Sequence, residues 1–106
     1  MIILSEWIKA CSIDQVKDGE LFGFVQDGRK LLIANLDGTI HATDLICTHA
    51  DADLSTGFLS KEGVRCPLHL SFFNLVNGKP NNLPAETALK VYPVKIDNDE
   101  IFVEVE

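Results

Sequence analysis

The chain contains the stretch Asp27-Gly28-Arg29-Lys30-Leu31-Leu32-Ile33-Ala34-Asn35-Leu36-Asp37-Gly38, in which an apolar run stands between two Asp-Gly dipeptides. Asp-Gly is typical of tight hairpin turns, because both residues tolerate the left-handed backbone that such turns require. Similar turn signals recur at intervals of roughly ten residues near both ends of the chain, as in other antiparallel β proteins. Further strand-like runs occupy 91–96 and 101–103, and further turn signals are Asp18-Gly19, Asn77-Gly78 and Asp97-Asn98-Asp99. The pattern predicts an all-β fold, an antiparallel β-sandwich or barrel built from hairpins.

The middle of the chain, from about 44 to 84, has a different composition. It holds three of the four prolines (Pro67, Pro80 and Pro84) and few long strand-like runs. We therefore expect a small, loop-rich subdomain inserted between two groups of hairpins. With 106 residues, the chain has room for one domain, spanning 1–106.

Charge and hydropathy exclude several classes of protein. Sixteen acidic residues against nine basic ones give a formal net charge of −7, which disfavours nucleic acid and anionic membranes and favours a partner with a basic face. No apolar run approaches the ~20 residues that span a bilayer, and the apolar residues 1–4 are too few for a secretory signal. The expected location is the cytoplasm, where three cysteines are more typical of metal ligands or buried thiols than of disulfides.

Two mixed pairs of metal-binding residues carry the chemistry. Cys47-Thr48-His49 is followed after 16 intervening residues by Cys66-Pro67-Leu68-His69, so that each segment offers one thiolate and one imidazole. Structural zinc accepts such donors, but zinc modules more often pair Cys with Cys and His with His. Mixed pairs favour a two-iron cluster, because each loop can then bind one iron through sulfur and the other through nitrogen. Zinc and a chance coincidence of these residues remain the alternatives.

The pattern C-x-H-x₁₆-C-x₂-H resembles the signature of Rieske-type 2Fe–2S proteins. Residues 54–59, 73–79 and 89–94 are similar to the small ferredoxins that serve ring-hydroxylating oxygenases. The resemblance implies one 2Fe–2S cluster per chain and an all-β base that carries a cluster-binding subdomain at about 44–84. It further implies that one iron is bound by Cys47 and Cys66, and the other by His49 and His69.

The resemblance also assigns residues around the cluster. High-potential Rieske proteins of respiratory complexes have a serine hydroxyl on a bridging sulfide, a tyrosine hydroxyl on a cysteine sulfur and a disulfide between the loops. Here Ser71 matches the serine, and Phe73 replaces the tyrosine without offering a donor. The disulfide positions match Ala52 and Leu68, so that bridge is absent. We therefore expect a reduction potential in the lower half of the family range of about −150 to +300 mV.

Three further positions in the loops have assigned or open roles. Leu70 stands where many Rieske proteins have glycine, so a positive φ there would be strained. Pro67 is expected to rigidify its turn or to shield the cluster, and its fixed φ suits both roles. Pro84 resembles the proline of a loop that covers the cluster, the alternative being an ordinary connecting loop.

The number of histidines that could bind iron limits the functions open to this chain. A two-His-one-carboxylate iron site needs two more histidines, and only His41 remains outside the proposed cluster. The chain also has no G-x-G-x-x-G for a nicotinamide or flavin domain. We therefore expect a soluble, monomeric one-electron carrier and not an enzyme. The resemblance implies that it accepts electrons from a flavin-containing ferredoxin reductase and passes them to a terminal oxygenase acting on an aromatic or similarly apolar substrate. The alternatives are a Rieske-fold non-catalytic subunit of a larger redox enzyme and a zinc-stapled binding module.

The remaining notable residues have more ordinary interpretations. Cys11 is expected to be a buried thiol, and His41 a structural or surface histidine. The aromatic side chains of Phe58, Phe72 and Phe73 are expected to pack in the core or beneath the cluster. The acidic residues near the donor pairs form either a solvated face or an acidic docking rim: Asp44, Asp51, Asp53 and Glu62.

Overall fold

The computed structural model describes residues 5–48, 52–67, 72–80 and 87–105. Their strands are antiparallel and form three sheets, which confirms the all-β prediction. In chain order the strands are β1 (Glu6–Ser12), β2 (Leu21–Gln26), β3 (Arg29–Leu36), β4 (Thr39–Asp44), β5 (Phe58–Ser60), β6 (Gly63–Arg65), β7 (Phe72–Phe73), β8 (Val91–Tyr92), β9 (Val94–Asp97) and β10 (Glu100–Val105). The first sheet has the order β1-β10-β9, the second β2-β3-β4-β8 and the third β5-β6-β7.

The predicted hairpin turns are present. Asp27 and Gly28 join β2 to β3 with φ values of 52° and 80°, and Asp37 and Gly38 join β3 to β4 with 54° and 85°. Two consecutive left-handed residues match the twist of the flanking strands, which explains the choice of Asp-Gly at both turns. The turn dipeptides therefore fix the register of the β2-β3-β4 meander.

β3 is buried on both faces. Leu31 and Ile33 pack into the core between the first and second sheets, together with side chains from β1, β4 and β10. Leu32 and Ala34 point the other way, into a second core. A strand that is covered on both faces reads as a continuous apolar run instead of an alternating one, which is the pattern that residues 31–34 show.

The apolar run at 91–96 forms two short strands instead of one. Tyr92 pairs with Ala42 of β4, whereas Val94 pairs with Val103 of β10. Pro93 separates them, and its carbonyl accepts a hydrogen bond from the N–H of Glu104 at 3.0 Å. Because proline has no N–H for a ladder, the chain passes from one sheet to the other at this residue.

The third sheet lies within the loop-rich middle segment, and its strands have only two or three residues. Its core joins Leu32 and Ala34 to residues that include Leu54, Val64 and Phe73. Over the described parts of the chain, no helix has the length and apolar character needed to cross a bilayer.

Candidate metal centre

The first donor segment is a short hairpin that follows β4. The N–H of Cys47 donates to the carbonyl of Ala52 at 2.9 Å, and the N–H of Leu54 donates to the carbonyl of Leu45 at 2.9 Å. A bridge between Ile46 and Asp53 continues this pairing. These bonds place Cys47 at the base of the hairpin, with its side chain only 4% exposed.

The second donor segment is also the connection of a hairpin. β6 and β7 pair through Val64 with Phe73 and through Arg65 with Phe72, so residues 66–71 connect two paired strands. Cys66 directly follows β6 and is fully buried. Its position mirrors that of Cys47, because each cysteine stands where its hairpin enters the loop.

The two cysteines share one apolar core. Cys47 and Cys66 belong to the same cluster of buried residues, with Phe73, Leu75 and Leu89 among its members. Neither forms a disulfide. Two buried thiols that do not form a disulfide, each at the start of a segment with a histidine two or three residues later, fit the sulfur half of a Cys₂His₂ donor set. His49 and His69 lie outside the described residues.

A hydrogen bond that the sequence did not predict connects the first donor segment to a later part of the chain. The hydroxyl of Thr48 donates to the carbonyl of Thr87 at 2.7 Å. Thr48 stands between Cys47 and His49, so this bond ties the first donor segment to a distant part of the chain. No local signal predicts this contact, because its two partners are 39 residues apart.

Gly78 makes a second tie to the same part of the chain. The N–H of Leu89 donates to the Gly78 carbonyl at 2.7 Å, and Gly78 has a φ of 76°. A Cβ at this position would fall well inside van der Waals contact with the Leu89 carbonyl oxygen. The Asn77-Gly78 turn signal therefore also marks a close approach of two backbones, for which glycine is required.

Residues 6–93 match the Rieske [2Fe-2S] domain. The chain belongs to the Rieske family. It is 34% identical over 100 residues to the ferredoxin component of the naphthalene 1,2-dioxygenase system of Pseudomonas putida, covering 94% of this chain and 96% of that protein. It is 39% identical over 97 residues to the biphenyl dioxygenase ferredoxin subunit of Pseudomonas sp. strain KKS102, covering 91% of this chain and 89% of that protein.

A solved structure also matches this chain over most of its length. The complex of reduced oxygenase and oxidized ferredoxin in carbazole 1,9a-dioxygenase contains a chain that superposes with a TM-score of 0.86 at 30% identity, covering 92% of this chain and 91% of that one. The relatives confirm two expectations, namely the Rieske-type 2Fe–2S cofactor and the role of a ferredoxin that carries electrons instead of catalysing a reaction.

Two of the positions compared above with high-potential Rieske proteins are described. Phe73, in place of the tyrosine, is fully buried in the core that holds both cysteines, so no hydroxyl reaches that core from this position. Ala52, at one disulfide position, is 7% exposed in the same core. Pro67 directly follows Cys66 and is half-buried. Leu68, Leu70, Ser71 and Pro84 lie outside the described residues.

The prediction for the three phenylalanines is partly wrong. Phe73 is fully buried as expected, but Phe58 is 61% exposed, and Phe72 is half-buried. Phe58 and Phe72 lie opposite Arg65 on neighbouring strands, and the guanidinium carbon lies 5.8 Å from the centroid of each ring. A strand of three residues has one side chain or two on each face, so its pattern is too short to tell the outer face from the buried one.

Two of the acidic residues near the donor segments have local structural roles. Asp44 accepts a hydrogen bond from the Tyr92 hydroxyl at 2.6 Å, and burial together with this carboxylate raises the pKa of Tyr92. Asp53 accepts a hydrogen bond from the N–H of Ser55 at 2.8 Å, which stabilises the 3₁₀ turn of Leu54–Thr56. Glu62 lies in the exposed turn between β5 and β6, and Asp51 lies outside the described residues.

The other cysteine and histidine are placed as expected. Cys11 is 3% exposed in the core that also holds Leu31 and Ile33, where burial raises the pKa of its thiol. His41 is half-buried on β4, and burial lowers the pKa of its imidazole.

Proposed function

We propose that this chain accepts single electrons from a flavin-containing ferredoxin reductase and passes them to the terminal oxygenase of a ring-hydroxylating system. The observation that carries the proposal is the burial of Cys47 and Cys66, neither of which forms a disulfide, in one apolar core at the bases of two hairpins. The names of the relatives support the aromatic substrate class, because they include naphthalene and biphenyl dioxygenase systems. The protein acts as a cytoplasmic monomer of one domain, 1–106.

We propose that Cys47 and Cys66 bind one iron of the cluster and that His49 and His69 bind the other. When bound, the cluster supplies a centre that gains and loses one electron at a time. The segment at about 44–84 is the cluster-binding subdomain. Its core places the two cysteines among apolar side chains that include Phe73 and Leu75, which limits the access of water to the sulfurs.

The residues around the donors hold the loops in place. Thr48 ties the first donor segment to Thr87 through its hydroxyl. Pro67 restricts the backbone directly after Cys66 through its fixed φ. By resemblance to the family, we assign to Ser71 a hydrogen bond to a bridging sulfide, and to Pro84 a place in the loop that covers the cluster.

The net charge of −7 suits a protein that meets two partners in turn. Small, weak interfaces guided by charge allow rapid exchange between partners. In the carbazole 1,9a-dioxygenase complex, a similar ferredoxin is bound to its oxygenase. We infer that the oxygenase and the reductase each present a basic face to this chain.

Metal and sulfide analysis of the purified protein tests the proposal. We expect about two irons and two acid-labile sulfides per chain, as a 2Fe–2S cluster requires, and a red-brown colour that fades on addition of dithionite. A colourless protein with one zinc and no labile sulfide would contradict it. His69→Ala is expected to abolish the cluster or make it labile, whereas His41→Ala should leave the visible spectrum unchanged.

A second experiment tests the direction of electron flow. With NADH and a ring-hydroxylating system's flavin reductase, we expect reduction of the chain at a rate that falls steeply as salt is added, because salt screens attraction between charged surfaces. Reduction at the same rate in low and high salt would contradict the charge-guided interface. The absence of any reduction by several such reductases would contradict the proposed partner class.

A further inference from the structure

An aromatic–arginine–aromatic row crosses the outer face of the third sheet. Phe58 is directly opposite Arg65 in the pairing of β5 with β6, and Phe72 is directly opposite Arg65 in the pairing of β6 with β7. Residues that are directly opposite on neighbouring strands point to the same face of a sheet. The guanidinium of Arg65 therefore lies between two rings, 5.8 Å from the centroid of each.

A proposed ligand, Cys66, directly follows β6 and is buried in the core on the other side of this sheet. Val64 and Cys66 flank Arg65 in the chain, and both are fully buried in the core that also holds Cys47. Side chains alternate between the faces of a strand, so the Arg65 side chain projects away from that core. A residue with a permanently charged side chain, Arg65, is thus the immediate neighbour in the chain of a proposed sulfur ligand, Cys66.

Two features fix the position of this charge. The rings of Phe58 and Phe72 restrict the guanidinium through cation–π contacts, which operate within about 6 Å of a ring centroid. The Arg65 backbone is held as well, because Arg65 pairs with Phe58 of β5 on one side and with Phe72 of β7 on the other. A guanidinium keeps its charge over the whole pH range in which proteins fold.

We propose that Arg65 raises the reduction potential of the bound cluster by placing a fixed positive charge beside Cys66, an inference that rests on the proposed ligand set. Reduction adds one electron, taken from the reductase, and a nearby positive charge stabilises the more negative state. The effect opposes that of the chain's net charge of −7, which disfavours addition of an electron. Whatever groups contact Arg65, its replacement by a neutral side chain makes the local charge more negative by one.

The expected size follows from Coulomb's law. Consecutive Cα atoms are about 3.8 Å apart, and the long arginine side chain extends away from Cys66, so the charge and the sulfur are on the order of 10 Å apart. Across a partly aqueous dielectric, a unit charge at that distance changes an equilibrium constant about two- to fourfold. Arg65→Gln should therefore lower the equilibrium constant for reduction about two- to fourfold. At 59 mV per tenfold change for one electron, this is a midpoint shift of about 20–35 mV to more negative values.

The experiment is a redox titration of the cluster-loaded protein, followed by visible absorbance. Arg65→Lys should keep most of the wild-type potential, because it keeps the charge. Lys61→Gln is the matched control, since Lys61 lies in the turn at the far end of β6 and its loss changes the net charge equally. An unchanged potential in Arg65→Gln would overturn the proposal, as would equal shifts in Arg65→Gln and Arg65→Lys or equal shifts in Arg65→Gln and Lys61→Gln.

A second pair of variants covers the case in which Arg65→Gln does not fold. Phe58 is largely exposed and lies in the same row, so Phe58→Lys and Phe58→Glu add charge there without burying it. The midpoint should be highest in Phe58→Lys and lowest in Phe58→Glu, and equal midpoints would overturn the proposal. Iron and labile sulfide are measured first in each protein: a wild type without them contradicts the proposed function, whereas a full complement with unmoved potentials contradicts only the role of Arg65.

Discussion

Replacement of Gly78 by alanine is expected to destabilise the protein far more than the same replacement at Gly28. Both glycines have a left-handed backbone, with φ values of 76° and 80°, so both variants incur the strain of placing an L-residue there, about 1 kcal/mol. The two sites differ in the room that they leave for a Cβ atom. A Cβ at Gly28 meets no atom within 4 Å, whereas a Cβ at Gly78 would collide with the Leu89 carbonyl oxygen.

The collision adds a second cost at Gly78. Leu89 would have to move, which stretches the 2.7 Å hydrogen bond from its N–H to the Gly78 carbonyl, a loss of about 1 kcal/mol. Leu89 is also 2% exposed in the core that holds both cysteines, and partial loss of its packing adds roughly 1 kcal/mol more. The expected total is about 3 kcal/mol for Gly78→Ala against about 1 kcal/mol for Gly28→Ala.

Urea unfolding of both variants measures the difference. Circular dichroism follows the strands, and visible absorbance follows retention of the cofactor. We expect Gly78→Ala to lose its visible absorbance at a lower urea concentration than both Gly28→Ala and the wild type. A difference between the two variants of less than about 0.5 kcal/mol, which is the ordinary scatter of surface substitutions, would refute the argument from close backbone approach.

Three further perturbations test other contacts. Thr48→Val should weaken the tie to Thr87 by about 1 kcal/mol and increase the rate of cofactor loss to a chelator about fivefold, whereas Thr48→Ser, which keeps the hydroxyl, should lose it at nearly the wild-type rate. Tyr92→Phe removes the hydrogen bond to Asp44 and should lower the free energy of unfolding by about 1–2 kcal/mol, measured by urea titration; a cost below 0.3 kcal/mol would show that water replaces the bond. Burial lowers the folded pKa of His41, so the unfolded chain binds more protons there, and this contribution to stability is present above pH ~6.5 and is lost as the pH falls below it. His41→Gln should therefore flatten the fall in stability between about pH 7 and 5 relative to the wild type, and parallel pH profiles would contradict this.

The fold class and the cofactor of the site could be predicted from the sequence, because both predictions depend on local sequence patterns. Asp27-Gly28 and Asp37-Gly38 specify their turns by backbone conformation alone. The mixed Cys–His pairs favour a two-iron cluster over zinc by donor type, and their spacing carries the resemblance to Rieske proteins. Neither signal depends on contacts between distant residues.

The other features depend on tertiary contacts. The bond from Thr48 to Thr87 joins residues that nothing in their local sequence connects. The exposure of Phe58 depends on which face of a three-residue strand is covered, and its hydrophobicity alone led to the wrong prediction that the ring is buried. The break at Pro93 could have been anticipated, since a proline inside a strand pattern indicates an edge or a change of partner.

The two faces of β3 bear on how the protein acquires its cofactor. Among the described residues, the core on one face takes no side chain from 44–84, so we expect a newly synthesised polypeptide to assemble this part before any iron arrives. Leu32 and Ala34 on the opposite face would then offer the donor hairpins a surface on which to condense, and cofactor insertion would complete the maturation. Hydrogen exchange on iron-free protein should accordingly find slow amides in β3 and β10 and fast ones in β6; uniformly fast exchange would mean that the scaffold and the cofactor form together.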